Sequence, residues 1–597
     1  MVDRPVRRVT RGPAHVVRAL RVFILLVLAG VIVGTALTWG RRGRPQAAIS
    51  MADPATAAAL GAITDQSERF TASGTREGKP AFDLAAETVT GLQGDRKLLQ
   101  TVRLDVHEQE GGTVEVLGKE GEFDPGARRA QIRGEVGIKT PDGLSLETPN
   151  LSYDSDRDMI HTSDPIRFRL GRIEGTGEGL NYLVGERRLK IPARVRLRIQ
   201  PDDGGPDILI TSGTLVASLD ENSAVFTESA RLERGADLLT GNYLRIELDA
   251  ARARVAGIRA FGDVAVTFAP DAEGRPGNLR ADSLVLTLGP GDTLEEAEAS
   301  GGCRFASGPY TSTSRTALYR RAEDRLELRG DPSVVTDRDR IAAQEIDLAP
   351  GRQTLEARGD VHTTTLGEAK SDVPGFSSAA PVSFQAARLV AEQVGKRAVY
   401  SGAARAWQEG ASLQAEEIVV DEEQRQVRAA GAVVSRFTPK PGARSGPRPP
   451  TTTIAARRMV LDDASSTARY EGDARLARPD ASITADTMEV HLLENARRRE
   501  IDRIVARGSV SARHQGTYAT ATEAEYLAAR QVLILRDAQG LAEVIDGATG
   551  RSMRGRELTY DLAGDRVLTE PGPGGRTWIT VTPDTKETPR VEPPSRH

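Results

Sequence analysis

Residues 166–170, IRFRL, and residues 194–199, RVRLRI, decide the fold class, because apolar and charged side chains alternate through both. A period of two places successive side chains on opposite faces of a β-strand, with the apolar set on a buried face. The same alternation appears at 244–248, 264–268, 284–288 and 488–492. The chain is therefore predicted to be all-β, and no comparably convincing helical stripe follows the N-terminal segment.

A repeat of about 29 residues links these strands into a stack. Arg329-Gly330-Asp331 recurs as Arg358-Gly359-Asp360, and Gly402 to Gly431 spans the same interval. Such self-similarity is typical of units that bury their apolar faces against neighbours. Each unit is predicted to consist of a strand, an acidic turn, a second strand and a glycine-centred turn. Glycine is expected at the second turn because it adopts positive φ without strain. The Arg-Gly-Asp triplets are interpreted as turn chemistry, not as an adhesion motif.

The N-terminus carries the chain's single long apolar run. No charged residue occurs from Val22 to Trp39, which is enough to cross most of a bilayer as a helix. Six arginines precede this run and three follow it, which predicts a cytoplasmic N-terminus. A cleaved signal peptide is the alternative, but Arg41 and Arg42 stand where a small-residue cleavage site is expected. An uncleaved single-pass anchor is the favoured interpretation.

Composition excludes several classes of function. The formal net charge of -4 provides no nucleic-acid footprint, and one cysteine, Cys303, allows neither an intrachain disulfide nor a cysteine-based metal site. Nucleotide-binding, serine-hydrolase and zinc-protease motifs are missing from the sequence. Paired carboxylates such as Glu295-Glu296 are interpreted as solvated turns rather than as a glycosidase pair. We predict no enzyme activity, no cofactor, no metal site and no nucleic-acid partner.

The stretch 137–148, GIKTPDGLSLET, followed by 151–154, LSYD, resembles the LptC family of lipopolysaccharide-export proteins. The segments 160–166, IHTSDPI, and 175–182, GTGEGLNY, are also similar, and the resemblance covers roughly residues 15–200. The repeats from about 207 to 570 are similar to OstA/LptA-like periplasmic bridge proteins. The resemblance implies an extended antiparallel β-jellyroll, V-shaped as in LptA, LptC and OstA-like proteins, after one N-terminal transmembrane helix.

These resemblances predict an inner-membrane, single-pass protein whose bulk is periplasmic and whose partners are lipopolysaccharide, an inner-membrane ABC transporter complex and a separate LptA-like bridge or outer-membrane assembly protein. The predicted segments are a basic cytoplasmic tail at 1–17, the anchor at 18–40, a spacer at 41–67, an LptC-like jellyroll at 68–200, OstA/LptA-like repeats at 207–366 and at 382–570, and a disordered tail at 571–597.

The predicted function is a lipid-transfer bridge that shelters acyl chains in an apolar β groove. Burying apolar surface is worth about 25 cal/mol per Å², so a trough lowers the barrier to crossing water. A passive sheet supplies no direction of its own. The candidate groove residues, chosen by alternation, are Leu144, Leu146, Tyr153, Ile166, Phe168, Leu180, Tyr182, Val195, Leu197, Ile199, Leu244, Ile246, Leu248, Val264, Val266, Phe268, Met488 and Val490.

Three interpretations stay open at the level of sequence. Alternating apolar residues fill a dry core as readily as they line a trough, so a membrane-anchored structural or adhesive β-repeat protein is the alternative to the conduit. A polysaccharide-processing β-helix enzyme is the third. The arginine-rich faces around Arg167 and Arg196 are suited to lipid A phosphates, although a solvated outer strand face is the favoured interpretation.

Overall fold

The computed structural model describes residues 63–568 and 578–580, and its chain divides into two compact units. Among the described residues, the N-terminal unit ends at Leu328 and the C-terminal unit begins at Arg329. The description leaves out short segments at 93, 109–110, 202–203, 250–254, 271–275, 291–292, 309, 350–351, 366–372, 377–379, 393–395, 439–450, 496–497, 539, 563 and 565.

The N-terminal unit is built from β-strands that are mostly longer than ten residues. They are β1 Ile63–Arg76, β2 Lys79–Leu92, β3 Lys97–His107, β4 Thr113–Asp124, β5 Arg129–Lys139, β6 Ser145–Asp154, β7 Met159–Leu170, β8 Ile173–Leu183, β9 Arg188–Ile191, β10 Ala193–Ile199, β11 Ile208–Ser212, β12 Thr214–Ser218, β13 Ser223–Arg234, β14 Asp237–Leu248, β15 Val255–Phe268, β16 Gly277–Gly289, β17 Thr293–Ser307, β18 Tyr310–Arg320 and β19 Arg325–Arg329, which ends one residue beyond the unit.

The C-terminal unit repeats this construction. Its strands are β20 Ser333–Val335, β21 Asp339–Ala342, β22 Glu345–Ala349, β23 Thr354–Thr365, β24 Ser383–Glu392, β25 Arg397–Gln408, β26 Ala411–Asp421, β27 Gln426–Phe437, β28 Thr452–Asp462, β29 Thr467–Ala477, β30 Ala481–Asn495, β31 Arg498–His514, β32 Thr517–Leu527, β33 Val532–Arg536, β34 Ala542–Asp546, β35 Ser552–Gly555, β36 Glu557–Asp561, β37 Arg566–Leu568 and β38 Trp578–Thr580.

Within each unit, successive long strands pair antiparallel, as the alternation predicts. β2 pairs with β1 and β3, for example, and β26 pairs with β25 and β27. One strand path is broken at Pro192, where β8 pairs with both β9 and β10. Proline has no N–H to donate to a ladder, which explains the interruption. The all-β, antiparallel prediction is confirmed for the described residues.

Alternate long strands carry a bulge near their middle, for example β23, β25, β27, β29 and β31. In β5, Gly134 and Glu135 both have positive φ, at 80° and 53°, and the β5–β6 register shifts between Arg133 and Val136. Two consecutive left-handed residues bend the strand and increase its local twist. The same pairing of a positive-φ glycine with a positive-φ successor occurs at 262–263, 301–302, 330–331, 359–360, 402–403, 431–432, 472–473 and 508–509.

These bulges correct the predicted role of the repeated glycines. Gly359, Gly402, Gly431 and Gly508 lie inside β23, β25, β27 and β31, so the prediction that they reverse the chain between strands is wrong. The positive φ was inferred correctly, but it bends a continuous strand. The 29-residue interval therefore corresponds to two strands, from one bulge to the next.

The reversals are made instead by the acidic turns, which were predicted correctly. The carboxylate of Asp462 at the end of β28 accepts a hydrogen bond from the backbone N–H of Ser465 at 2.9 Å, and Asp421 makes the equivalent bond to Gln424. The bond from Ser465 lowers the pKa of Asp462. A residue with positive φ, Ser466 or Arg425, then returns the chain to the next strand.

The core follows one face of the strands. Leu104, Val116, Ile132 and Ile160 are fully enclosed in the N-terminal unit, where buried side chains from Ala81 to Cys303 form one cluster. Thirteen candidate groove residues are buried, namely Leu144, Leu146, Tyr153, Ile166, Leu180, Tyr182, Val195, Leu197, Leu244, Ile246, Val264, Met488 and Val490, and five are half-buried, namely Phe168, Ile199, Leu248, Val266 and Phe268.

Some predicted segment limits can be compared with the strands. β1 begins at Ile63, inside the predicted spacer, and β38 lies inside the predicted disordered tail. The anchor predicted at 18–40 lies outside the described residues, and no helix among the described residues is long and apolar enough to cross a membrane.

Candidate functional site: an apolar cavity in the N-terminal unit

An apolar cavity of about 220 Å³ lies inside the N-terminal unit, among strands β10 to β19. Its lining is dominated by aliphatic and aromatic side chains, with few polar groups. The apolar lining comprises Ile199, Ile208, Leu232, Leu238, Leu239, Ile246, Val255, Ile258, Val266, Phe268, Leu279, Leu284, Leu286, Leu288, Leu294, Ala297, Ala299, Cys303, Phe305, Ala317, Tyr319, Leu326 and Leu328.

The sequence explains why this interior is incompletely filled. β17 and β18 point small side chains inward, including Ala297, Ala299, Cys303 and Ala317, where neighbouring strands supply leucines. Protein interiors normally pack to crystal-like density, so such a gap leaves its lining without contacts on one side. Large apolar cavities stay dry and accept apolar guests. The arrangement can therefore receive a hydrocarbon chain.

Polar groups are confined to a few positions on the lining. Asp237 accepts a hydrogen bond from the backbone N–H of Ala269 at 2.7 Å, and burial raises the pKa of Asp237 while nearby Arg234 opposes the rise. The Cys303 thiol is directed at the backbone carbonyl of Arg315 at 3.6 Å, and burial raises its pKa. A thiol with a raised pKa is a poor nucleophile. The lining is therefore suited to solvating an apolar guest and is not suited to covalent chemistry.

The first part of the unit, by contrast, has a filled core. Phe82 packs edge-on against Phe123 and Tyr153, with ring centroids 6.2 and 5.7 Å apart, and Phe70 lies 6.3 Å from Phe123. Burial raises the pKa of Tyr153 to about 12, and the Asp158 carboxylate adds to this rise. Aromatic pairs of this geometry add to the free energy of burial.

A buried ionic cluster joins the first eight strands to the repeats that follow them. Arg187 contacts the carboxylates of Glu108, Asp142 and Asp220, and the side chain of Glu108 is only 1% exposed. Tyr182 donates a hydrogen bond to Glu108 at 3.3 Å. Because Glu108 and Arg187 are 79 positions apart, sequence reasoning missed the cluster.

The C-terminal unit contains a second cavity, of about 430 Å³, with a mixed lining. Phe376, Met459 and Tyr470 form apolar walls, while Arg478, Asp480 and Glu500 are charged. Arg478 lies over the ring of Tyr526 at 4.8 Å and donates to its hydroxyl at 2.8 Å. The candidates Met488 and Val490 are fully buried elsewhere in this unit and do not line this cavity.

The structure brings four candidate groove residues to the first cavity: Ile199, Ile246, Val266 and Phe268. The other fourteen lie elsewhere in the interior, and contact with lipid stays a prediction for all eighteen. Leu284, Leu286 and Leu288 line the cavity although they were not among the candidates, and the alternation at 284–288 was the signal that could have identified them. Among the described residues, no His, Cys, Asp and Glu cluster could hold a metal ion.

Comparison with known families finds matches to two separate segments of this chain. A model of lipopolysaccharide-assembly, LptC-related proteins matches residues 26–200. A model of the LptA/(LptD N-terminal domain) LPS transport protein matches residues 453–566. Two segments of this chain thus resemble lipopolysaccharide-transport proteins. Both predicted resemblances are confirmed, and both family descriptions name assembly or transport components. Most of the first cavity's lining lies between the LptC-like and LptA-like segments.

Comparison with solved structures finds LptH from Pseudomonas aeruginosa, the LptA-homologous periplasmic component of a lipopolysaccharide transport device. It is 20% identical over 24% of this chain and 100% of its own length, with a TM-score of 0.19. No curated protein sequence matches the chain.

Proposed function

We propose that this chain is a lipopolysaccharide-transport component that shelters acyl chains in the apolar interior of its β array. The observation that carries the proposal is the 220 Å³ cavity among β10 to β19, whose lining is overwhelmingly aliphatic and aromatic. Each Å² of acyl chain withdrawn from water is worth about 25 cal/mol, so the cavity favours occupation by hydrocarbon. The matches to the LptC-related and LptA/LptD families support lipopolysaccharide as the lipid.

In this proposal the apolar segment at 18–40 anchors the chain in the inner membrane, with the N-terminus in the cytoplasm and the bulk in the periplasm. An inner-membrane ABC transporter complex delivers lipid, and an LptA-like bridge or an outer-membrane assembly protein accepts it. The array bends as a V-shaped jellyroll, so that a sugar headgroup stays in water while acyl chains are covered. Direction comes from the transporter, since the sheet itself supplies no free energy.

A matched pair of adjacent residues tests the conduit. Ile258 lines the cavity, whereas Arg259, the next residue on β15, is exposed on the opposite face. A photoreactive amino acid placed at Ile258 in the full chain, in cells, is expected to yield lipopolysaccharide adducts. The same amino acid at Arg259 is expected to yield none. Equal labelling at the two positions, or none at Ile258, contradicts the proposal.

A structural repeat protein with a dry core is the second candidate, and the filled core of the LptC-like segment favours it. Ile132 is fully enclosed there. Adducts at Ile258 without adducts at Ile132 would support a conduit that begins after this segment. Adducts at both positions would mean that the filled core opens during transport, and adducts at neither would favour the scaffold.

A further inference from the structure

The strand registers align five arginines in one row across the outer face of the N-terminal unit. Arg167 on β7 lies opposite Thr176 on β8, and Thr176 lies opposite Arg196 on β10. The row continues across β11, β13, β14, β15, β16, β17 and β18. Its remaining members are Thr211, Arg231, Thr240, Ala265, Arg280, Arg304 and Thr313.

From β7 to β18 the arginine row contains no acidic residue, and the residue opposite Arg167 on the preceding strand, β6, is Glu147. The row's nine inter-strand steps of about 4.8 Å give a length of roughly 43 Å along the sheet. Threonines with hydroxyl donors and acceptors stand between the first three arginines and at the far end, after Arg304. All of these residues lie on the face opposite the cavity lining, so the row is separate from the proposed lipid path.

Four members of the row have no protein counter-ion. Across the described part of the chain, no ion pair or hydrogen bond engages the side chain of Arg167, Arg196, Arg280 or Arg304, and all four are exposed. Arg231 alone is paired, with Glu233. An unpaired guanidinium keeps its whole fork of donors available for an external carboxylate or phosphate.

The neighbouring arginines are paired, which makes the row distinct. Arg169 binds Glu174 at 3.2 Å, Arg194 binds Glu178 at 2.6 Å and Arg198 binds Asp207 at 2.5 Å. Arg194 and Arg198 stand two residues on either side of Arg196 on the same strand. Charges beside this part of the row therefore cancel, and the uncompensated positive charge is confined to a strip one residue wide.

One contact within the row opposes folding. Arg280 on β16 and Arg304 on β17 are direct cross-strand partners, and like charges in this position destabilise a sheet. A sheet optimised for stability alone would place an acid at one of the two positions, as in the pairs that flank the row.

We propose that the arginine row binds a linear anionic glycan, a sugar polymer that carries carboxylate groups at intervals along its chain. A narrow strip fits a single extended polymer, and two strand steps of about 4.8 Å bring alternate row positions within range of successive charged sugars. A membrane surface would instead suit a broad basic patch with apolar side chains to insert. Threonine hydroxyls between the arginines supply hydrogen bonds to sugar hydroxyls.

Two triple variants with the same change in charge test the row. The row variant combines Arg196→Gln, Arg280→Gln and Arg304→Gln, which remove unpaired arginines from the row. The control variant combines Arg169→Gln, Arg194→Gln and Arg198→Gln, which remove three exposed, paired arginines beside the row. With the full chain in detergent and oligogalacturonate as the probe, the row variant is expected to bind roughly tenfold more weakly, and the control variant within about twofold of the parent. The row variant should also show a weaker salt dependence, because each lost contact releases about one counter-ion fewer.

Three outcomes would overturn the proposal. One is an equal loss of affinity in both triple variants, which would indicate net charge alone. Another is equal binding of uncharged dextran, which would exclude recognition of charge. The third is displacement of oligogalacturonate by phosphatidylglycerol vesicles but not by phosphatidylcholine vesicles, which would assign the row to membranes. In this competition the concentration of lipid phosphate equals the concentration of oligogalacturonate carboxylates. Circular dichroism of each variant verifies that the sheet is retained.

Discussion

At the scale of single residues, the cluster around Arg187 is the most demanding feature of the N-terminal unit. One guanidinium faces three carboxylates, and its side chain is 14% exposed while that of Glu108 is 1% exposed. The surrounding carboxylates raise the pKa of Arg187, with Asp142 making the largest contribution. Removing one partner of a buried ion pair leaves the other charge without compensation.

We predict that Arg187→Met lowers the free energy of unfolding by about 3 to 5 kcal/mol, because Glu108 is left buried and unpaired. The adjacent Arg188 is the control, since it is 54% exposed and pairs with Glu186 at 3.1 Å. Arg188→Met should change stability by less than about 1 kcal/mol. Urea denaturation measures both. Similar losses in the two variants would contradict the buried-cluster account, and Glu108→Gln should rescue much of the loss in Arg187→Met.

Asp339 gives the C-terminal unit a pH dependence. Burial raises the pKa of Asp339 to about 6, with Glu422 and Asp337 adding to the rise and Arg338 opposing it. Arg338 is already engaged by Glu422, at 3.0 and 3.3 Å. A carboxyl group with a raised folded-state pKa holds its proton more tightly in the folded state. Stability therefore falls as pH rises from the unfolded-state value of 3.8 through about 6.

We predict that Asp339→Asn stabilises the protein at pH 7.5 by roughly 1 to 3 kcal/mol, since it removes a buried charge. At pH 4 both the aspartic acid and the asparagine are neutral in the folded state, so the two proteins should unfold at nearly the same temperature. Thermal unfolding at a series of pH values measures the difference. A stabilisation that does not change with pH would show that Asp339 titrates at its ordinary value.

At the scale of elements, the mid-strand bulge is the feature that bends alternate long strands. Gly134 in β5 has a φ of +80°, and an added Cβ would lie 3.0 Å from the Cβ of Lys119 on β4. The glycine is therefore required both by the left-handed backbone and by the close approach of a neighbouring strand.

We predict that Gly134→Ala costs about 1 to 3 kcal/mol through backbone strain at the bulge. Gly137 lies on the same strand, has no positive φ and would place a Cβ in open space. Gly137→Ala should change stability by less than about 0.5 kcal/mol, or increase it slightly. Urea midpoints of the two variants decide between strain at the bulge and a general intolerance of substitution in β5.

The sequence predicted the strands, because alternation is a local property that burial makes visible. It also predicted the acidic turns, where an aspartate bonds to a backbone three residues ahead. It did not predict the bulges as such, since a positive φ has the same residue preference in a turn and in a bent strand. The Arg187 cluster and the arginine row depend on strand register, which no local pattern contains.

At the scale of the whole molecule, the candidate site was predictable only in part. Alternation identified inward-facing residues, and Ile199, Ile246, Val266 and Phe268 do line the cavity. Whether this interior is filled depends on the summed volumes of side chains from nine strands. Small residues such as Ala299 and Cys303 leave space only because of the residues that face them. The strands around Leu104 and Ile132, where the core is filled, show almost the same alternation of apolar residues as the strands around the cavity.

The regular bulges also determine how such a protein can change in length. Bulged glycines such as Gly402 and Gly431 stand on every second strand, and each sits against the strand that precedes its own. A gain or loss of one strand would reverse chain direction and bring two strands of the same kind together. A gain or loss of two strands preserves both direction and fit. The array is therefore suited to grow or shrink by duplication or deletion of about 29 residues, so that its length would change in steps of two strands.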